Sequence, residues 1–354
     1  MRATSGSYIS RLDHLRFIAA LLVISWHALH HIGIPLSYVP KFWPLSIFEE
    51  GHTGVALFMT LSGFIFCSIC YCNEIIYWEF IRNRILRIAP LFLTHILLSY
   101  SVWGWDPIKT IVAVIFFMNH PNVIEVGWTV VVEFQFYFLF PFLLVFKKKY
   151  GIRYFFGLII MMVSMRIGIW WLKGSVQELS YWTIFGRIDQ FIFGMIGYEI
   201  YFRYKKFLAQ PLIFFLVLFF GIFLFHKFNI IGGLEGTNSF ALWIYLPTLE
   251  GAFYAFIIAS YLALNLQIPK ILDKLLAWLG MLSFSLYMNH MLVILFMSKL
   301  LTRLGWTFDD FGGGMTFSLL ICAPLVILCS VGTYYLIERP FLSLRRNYLF
   351  SNSN

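Results

Sequence analysis

The chain has 354 residues, of which 60% are hydrophobic and only 12% are charged, and its mean hydropathy is +0.80. A soluble domain carries about twice that share of charged residues, so this composition excludes an ordinary soluble fold. The net charge of +9 is typical of the basic cytoplasmic loops of a membrane protein, so we expect no nucleic-acid partner.

Apolar runs of about 20 residues recur along the chain, and each is long enough to cross a bilayer as a helix. The sequence therefore predicts an all-α fold, a polytopic membrane helical bundle of about ten transmembrane helices. The segment 108–118 is apolar but shorter, so we expect a re-entrant or interfacial piece there. The predicted spans are approximately 13–32, 53–72, 89–105, 129–146, 153–172, 183–201, 211–226, 241–264, 278–299 and 316–338.

Lysine and arginine concentrate in every second loop between these spans, which is the positive-inside pattern. The basic segments include residues 82–87, 147–153 and 339–346. An even number of spans with these segments inside predicts that both termini are cytoplasmic. The segment before Arg11 is short and polar, so the first apolar run is predicted to remain as a helix rather than to be cleaved as a signal peptide.

The first helix carries two polar side chains that suggest chemistry, Arg16 and His27. They are eleven residues apart, close to three whole turns, so both project from one face about 16 Å apart along the axis. Arg16 would bind an anion near the cytoplasm, and His27 would act as a base in the outer half of the bilayer. A membrane histidine can also serve only as a hydrogen-bonding helix contact. His30 is nearer the outer surface, where substrate contact is one reading.

Arg84 and Arg87 form a second basic pair, three residues apart and on one face if the segment is helical. Guanidinium groups bind phosphates in a bidentate manner, so this pair could hold the phosphates of coenzyme A. The alternative is a topology anchor that contacts anionic lipid head groups.

Glu133 lies in the fourth span at a predicted depth similar to that of His27. A carboxylate at that depth needs a partner. It could orient the His27 ring or support its charged form, and it could equally pair with Arg166 or Arg187 as a structural link.

The sequence contains no pattern typical of a metal site, although other polar residues lie where a substrate could enter from the outer side. Cys67 and Cys70 have the CxxC spacing but lack a second ligand pair, so no metal is predicted. The candidate substrate contacts are His30, Trp128, Arg187, Asp189 and His290.

Together these segments resemble the acyltransferase 3 family of membrane-bound O-acyltransferases over residues 9–342. The resemblance implies a ten-helix bundle, an acyl-CoA donor and carbohydrate acceptors. It also implies that His27 is catalytic and that Arg84 and Arg87 contact the donor. His14 departs from the pattern, since the family usually has glycine there. The matching segments are Arg11–Arg16 with His27, Gly54–Phe64, Arg84–Pro90, Trp128–Tyr137, Ser285–His290 and Glu338–Phe341.

We therefore expect residues 1–354 to form one integral-membrane acyltransferase domain of the bacterial inner membrane, with no appended soluble domain. It would transfer acetyl from cytoplasmic acetyl-CoA, held by Arg16, Arg84 and Arg87, to a hydroxyl of a cell-surface or lipid-linked glycan. His27 would be the general base and Glu133 would tune it. Acyl-CoA, the glycan acceptor and membrane lipids are the expected partners, together with a separate periplasmic protein, because many relatives carry an extracytoplasmic esterase-like domain.

Two alternatives remain at this point. A covalent route could pass through Ser62 or Tyr137. A transporter or flippase of a lipid-linked sugar would use the same intramembrane charges as a substrate path, although the sequence lacks the paired broken helices and internal symmetry that transporters often show.

Overall fold

The computed structural model of the chain describes residues 8–71, 73–104, 106–115, 126–236, 241–308 and 310–350, and these fold as a bundle of helices. The first eight α-helices are α1 Ser10–His31, α2 Ser46–Glu49, α3 Gly54–Cys70, α4 Tyr77–Trp103, α5 Pro107–Ile115, α6 Gly127–Tyr150, α7 Arg153–Lys173 and α8 Gln177–Trp182. They are followed by α9 Ile184–Leu208, α10 Pro211–Ile230, α11 Leu246–Ala263, α12 Lys270–Met281, α13 Ser283–Leu304, α14 Phe311–Phe317, α15 Ala323–Thr333 and α16 Arg339–Leu342.

Short elements complete the described chain. Two π-helical segments, Ser318–Cys322 and Tyr334–Glu338, join α14, α15 and α16 into one continuous helical stretch. Two-residue strands β1 Glu74–Ile75 and β2 Leu349–Phe350 pair antiparallel. The 3₁₀ turns are Trp43–Leu45, Gly51–Thr53, Gly233–Glu235 and Leu242–Ile244.

The predicted all-α membrane bundle is confirmed, since each of the ten predicted spans falls on a long helix. Within the described ranges, eight helical stretches are long and apolar enough to cross a membrane. The remaining two predicted spans correspond to α4 and α9. The eight stretches are Ser10–His31, Gly51–Cys70, Gly127–Tyr150, Arg153–Lys173, Pro211–Ile230, Leu246–Ala263, Ser283–Leu304 and Phe311–Leu342.

The ninth predicted span, 278–299, begins too early. The structure ends one helix at Met281 and begins the next at Ser283, so the first part of that span belongs to α12. α12 is too short to cross a bilayer, and it carries Lys270, Asp273 and Lys274 in its first two turns. It packs against α1, with the backbone of Gly280 directly against that of Asp13.

A few predicted segments extend beyond the described residues. α5 accounts for 108–115 of the short apolar piece 108–118, and 116–118 lie outside the described residues. The same holds for Cys72, the last residue of the second predicted span, and for Trp105, the last residue of the third.

α9 packs at the centre of the bundle against both α3 and α11. Two glycines allow the α3 and α9 backbones to touch. A Cβ on Gly63 would lie 2.0 Å from the Phe191 carbonyl oxygen, and one on Gly194 would lie 2.0 Å from that of Thr60. Small residues at such positions are typical of closely packed membrane helices.

The central position of α9 explains why its charges are tolerated. Arg166 of α7 donates to Asp189 at 2.5 Å, and both side chains are fully buried. Arg187 lies 3.2 Å from Glu250 of α11. Lys147 of α6 pairs with Glu199. Each of these three buried charges of α9 therefore has an opposite partner on a neighbouring helix, as a buried ionic group requires.

The start of α1, the α3–α4 connection and the chain end meet at one end of the bundle. Arg11 donates to the Leu264 carbonyl at the end of α11, and Lys148 at the end of α6 lies 3.7 Å from Glu74 in β1. Because β1 pairs with β2, the last described residues lie at this end too. We call it the basic end, and the charge pattern predicts that it faces the cytoplasm.

A buried polar network occupies the opposite end, between α1 and α3. Glu50 accepts from His52 at 2.9 Å and from Asn229 at 3.1 Å. The neighbouring Glu49 is 1% exposed, and neither of its carboxylate oxygens has a hydrogen-bond partner among the described residues. Burial and the adjacent charge of Glu50 raise the pKa of Glu49 to about 9.

This shift predicts how stability depends on pH. Between about pH 4.5 and pH 9 the folded chain holds a proton on Glu49 that the unfolded chain releases, so the free energy of unfolding falls as pH rises through that window. The slope is at most about 1.4 kcal/mol per pH unit. Glu49→Gln mimics the protonated acid, so it should raise the melting temperature at about pH 8.5 and change it little at about pH 5.

The matched control is Glu50→Gln, which removes a paired carboxylate and should lower the melting temperature at both pH values. Melting of the purified protein in detergent, followed by tryptophan fluorescence, checks both variants. A Glu49→Gln protein that melts below the wild type at about pH 8.5 would contradict the prediction.

Candidate active site

A cavity of about 550 Å³ opens at the basic end of the bundle, and we call it the inner cavity. Side chains from α1, α3, α4, α6, α12 and α13 line it, together with residues after the last span. Its walls carry a concentration of positive charge suited to a polyanionic ligand. The cationic lining residues are Arg16, Arg84, Arg87, Lys274 and Arg345.

Arg84 is held by aromatic rings rather than by a carboxylate. Its guanidinium carbon lies 4.9–5.9 Å from four ring centroids, those of Phe66, Phe80, Tyr137 and Tyr348. Among the described residues no carboxylate lies within ion-pair distance of it. Such stacking fixes the plane of the guanidinium and leaves its N–H edge for another acceptor.

Arg87 lies one turn further along the same face of α4, as the spacing predicts, and it also lines the inner cavity. It lies 3.1 Å from Glu338, which also accepts from the Ser285 hydroxyl. Arg16 lines the cavity from α1 and pairs loosely with Asp13 at 3.4 Å. The three predicted donor-binding arginines thus face one space.

Glu133 faces the inner cavity and does not contact His27. Its carboxylate accepts from Ser62 at 3.1 Å and from Tyr137 at 2.5 Å. The two candidate nucleophiles therefore share one acceptor. The predicted pairing of Glu133 with Arg166 or Arg187 is replaced by these hydroxyl contacts, because both arginines are engaged by other carboxylates.

A second cavity of about 610 Å³ contains His27, and we call it the outer cavity. Aromatic side chains form much of its wall, and four imidazoles reach it. Faces of aromatic rings bury the apolar faces of flat or ring-shaped ligands. The aromatic and histidine lining residues are Trp26, His27, His30, His31, His52, Trp128, Tyr181, Trp182 and Tyr287.

The hydrogen bonds of His27 define which ring nitrogen is available. Nδ1 lies 2.9 Å from the Val23 carbonyl oxygen, which can only accept, so Nδ1 carries the proton. Nε2 of the neutral ring is therefore the basic atom. The ring contacts His290 edge-on at 4.7 Å between centroids and Trp26 at 4.6 Å. These contacts fix its orientation.

The inner and outer cavities adjoin. They share two lining residues, Val55 of α3 and Tyr287 of α13. Tyr287 donates its hydroxyl to the Val126 carbonyl at 3.0 Å, which holds its ring in this position. Val55 and Tyr287 therefore lie between the space that Arg84 lines and the space that His27 lines.

The predicted substrate contacts separate into two groups. His30 and Trp128 line the outer cavity. His290 is fully buried behind His27. Arg187 and Asp189 are buried in the ion pairs of α9, although the Arg187 guanidinium carbon does lie 5.6 Å behind the Trp128 ring. Direct substrate contact by these two residues stays a prediction, and the structure places them behind the cavity wall.

Sequence reasoning missed some cavity residues. Arg345 was predicted only as part of the basic segment 339–346, and Lys274 was given no role in the site, yet both line the inner cavity. His52 follows Glu50 in a short polar segment and lines the outer cavity. A histidine and two glutamates just before an apolar span were the available signal, because such residues are costly near hydrocarbon.

Comparisons with known proteins agree with the resemblance seen in the sequence. The family described as an acyltransferase domain, acyltransferase 3, matches residues 9–335. A protein of Acidianus two-tailed virus, provisionally named as an acetyltransferase, is 24% identical over 300 residues, which cover 81% of this chain and 84% of the relative. No solved structure matches the chain.

A protein of Staphylococcus aureus strain COL, provisionally named as an O-acetyltransferase, is 26% identical over 340 residues. That match covers 82% of this chain and 51% of the relative, so the chain spans about half of the staphylococcal protein. With the family match covering most of the chain and the helical bundle around two adjoining cavities, this multi-pass membrane protein belongs to the acyltransferase 3 family.

Proposed function

We propose that the protein is an O-acyltransferase that moves an acetyl group from cytoplasmic acetyl-CoA to a hydroxyl of a cell-surface or lipid-linked glycan, in the bacterial plasma membrane. The observation that carries this proposal is the pairing of a cavity lined by arginines with an adjoining cavity that contains an oriented imidazole. The names of the two relatives support acetyl as the transferred group.

In this proposal the donor binds at the basic end. Arg84 and Arg87 bind its phosphates, and Arg16 contributes from α1. The pantetheine arm then extends past Glu133 toward Val55 and Tyr287, where the two cavities adjoin. The acyl thioester would reach the outer cavity at that boundary.

His27 acts as the general base. Nε2 accepts the proton of the sugar hydroxyl as the oxygen attacks the thioester carbonyl, and the thiolate of coenzyme A leaves after the tetrahedral intermediate collapses. The proton on His27 then passes to the thiolate. The Val23 carbonyl keeps Nδ1 protonated throughout, so Nε2 remains the reactive atom.

The acceptor approaches through the outer cavity, where Trp26, Trp128 and Trp182 present ring faces and edges. His30 lines the same wall, with Nδ1–H donated to the Ile34 carbonyl at 2.8 Å and Nε2 3.8 Å from a Glu49 carboxylate oxygen. A ring-shaped polyol fits this combination of aromatic surface and few polar groups.

The first test replaces the base. His27→Ala should lower the transfer rate by about 10²–10⁴-fold, the usual contribution of a general base. The matched control is His226→Ala, which removes an imidazole outside both cavities that contacts Ser46, and it should retain activity. Release of free thiol from acetyl-CoA by purified protein, and mass spectrometry of surface glycans from cells, measure the two variants.

Equal activity of His27→Ala and the wild type, with both proteins folded, would remove His27 from the mechanism. The transporter alternative would be favoured by a different result. In that case glycans from His27→Ala cells would lack the acyl group, although the purified wild type releases no thiol from acetyl-CoA.

The second test addresses the donor site. Arg84→Gln and Arg87→Gln should each raise the KM for acetyl-CoA by about tenfold or more, because each loses a charged hydrogen bond to phosphate. The control is Arg82→Gln on the same helix, whose side chain pairs with Glu79 at 3.4 Å and does not line the cavity. Steady-state kinetics separate KM from kcat, and an unchanged KM in both cavity variants would place the donor elsewhere.

A further inference from the structure

The chain after the last span folds back over the mouth of the inner cavity. Residues 343–350, which we call the strap, end in β2, which pairs with β1 before α4. The strap lies beyond residue 335, where the family match ends. The family match therefore assigns the strap no role, and its own contacts are what indicate one.

The strap is anchored by backbone and side-chain hydrogen bonds. The buried Asn83 side chain donates to the Arg346 carbonyl at 2.6 Å and accepts from the Arg346 amide at 3.0 Å. The Ile76 amide donates to the Tyr348 carbonyl at 2.8 Å. Together with the β1–β2 pairing, these bonds hold the backbone of the strap in place, and the backbone in turn directs its side chains.

Two strap side chains reach the inner cavity, whereas the side chain of Arg346, whose backbone Asn83 holds, points away. Tyr348 is buried and supplies the fourth ring around the Arg84 guanidinium. Arg345 is half-buried and lines the cavity with Arg84 and Arg87. Arg346 turns outward, where its side chain is 67% exposed and lies 3.6 Å from Glu79.

The three guanidinium groups of Arg84, Arg87 and Arg345 repel one another across the cavity. Burial, and then the charges of Arg87 and Arg84, lower the pKa of Arg345 to about 10. Glu338 compensates Arg87. A bound polyanion would be attracted by all three guanidinium groups, because opposite charge favours their protonated forms.

We propose that the strap completes the donor site, with Arg345 binding a phosphate of the nucleotide end of coenzyme A beside Arg84 and Arg87. Tyr348 acts as a positioning residue that keeps the Arg84 guanidinium in plane. This inference rests on the proposed acyl-CoA donor and adds a phosphate-binding side chain from outside the family-matched region.

The test measures binding of coenzyme A to the purified full-length protein by isothermal titration calorimetry. Arg345→Gln should weaken binding by about tenfold or more, as expected for one lost charged contact. Arg345→Lys keeps the charge and should recover part of the affinity. The matched control Arg346→Gln alters the adjacent exposed arginine and should bind within about twofold of the wild type. Repeating the titrations with 3′-dephospho-coenzyme A identifies which phosphate Arg345 contacts.

The outcomes distinguish the strap from the donor proposal itself. If the wild type binds coenzyme A and Arg84→Gln loses it, while a folded Arg345→Gln binds as tightly as the wild type, the strap inference is overturned and the donor site stands. If the wild type does not bind coenzyme A, both fail. An equal loss in Arg346→Gln and Arg345→Gln would also overturn the inference, since general charge would then suffice.

A measurement on the wild type alone covers the case in which the Arg345 variants do not fold. Coenzyme A should slow amide hydrogen exchange in peptides that contain residues 343–350, because the ligand would contact the strap directly. Unchanged exchange there at a saturating concentration of coenzyme A, with slowed exchange at the start of α4, would overturn the inference.

Discussion

Charged side chains within a bilayer must be paired with opposite charge or face a water-filled space, and this constraint organises the bundle. The α9 charges are paired on neighbouring helices, as in Arg166 with Asp189 and Arg187 with Glu250. Arg84 instead stacks on aromatic rings and faces the inner cavity. Arg84 therefore marks the candidate site, because a cavity rather than a charged partner lies beside its guanidinium group.

The sequence predicted the parts of this arrangement that depend on one helix. α1 is continuous from Ser10 to His31, so the spacing of Arg16 and His27 carries directly into space, with each residue on a cavity wall. Arg84 and Arg87 share the cavity-facing side of α4 for the same reason. Local periodicity was sufficient because regular helices have no freedom to rearrange these residues.

Pairing between helices could not be predicted in the same way. Arg187 and Asp189 resembled exposed substrate contacts, yet their partners Glu250 and Arg166 lie 63 and 23 positions away. Glu133 was expected at the depth of His27, but the direction of its side chain depends on how α6 packs against α3, where Ser62 meets it. The basic residues of the strap were interpreted only as part of the positive-inside pattern. Their contact with α4 could not be predicted, because Asn83, which anchors the strap, is 263 residues from Arg346.

The proposed acyl transfer must take place at the boundary between the two cavities. His27 Nε2 is the basic atom, and it lies in the outer cavity, whereas the arginines lie in the inner one. In the proposed reaction the thioester carbonyl must therefore come within reach of His27 where the two cavities adjoin, at Val55 and Tyr287. Both side chains are more than nine-tenths buried, and Tyr287 is held by Val126. Because buried side chains form this boundary, the proposed transfer requires them to leave room for the acyl group.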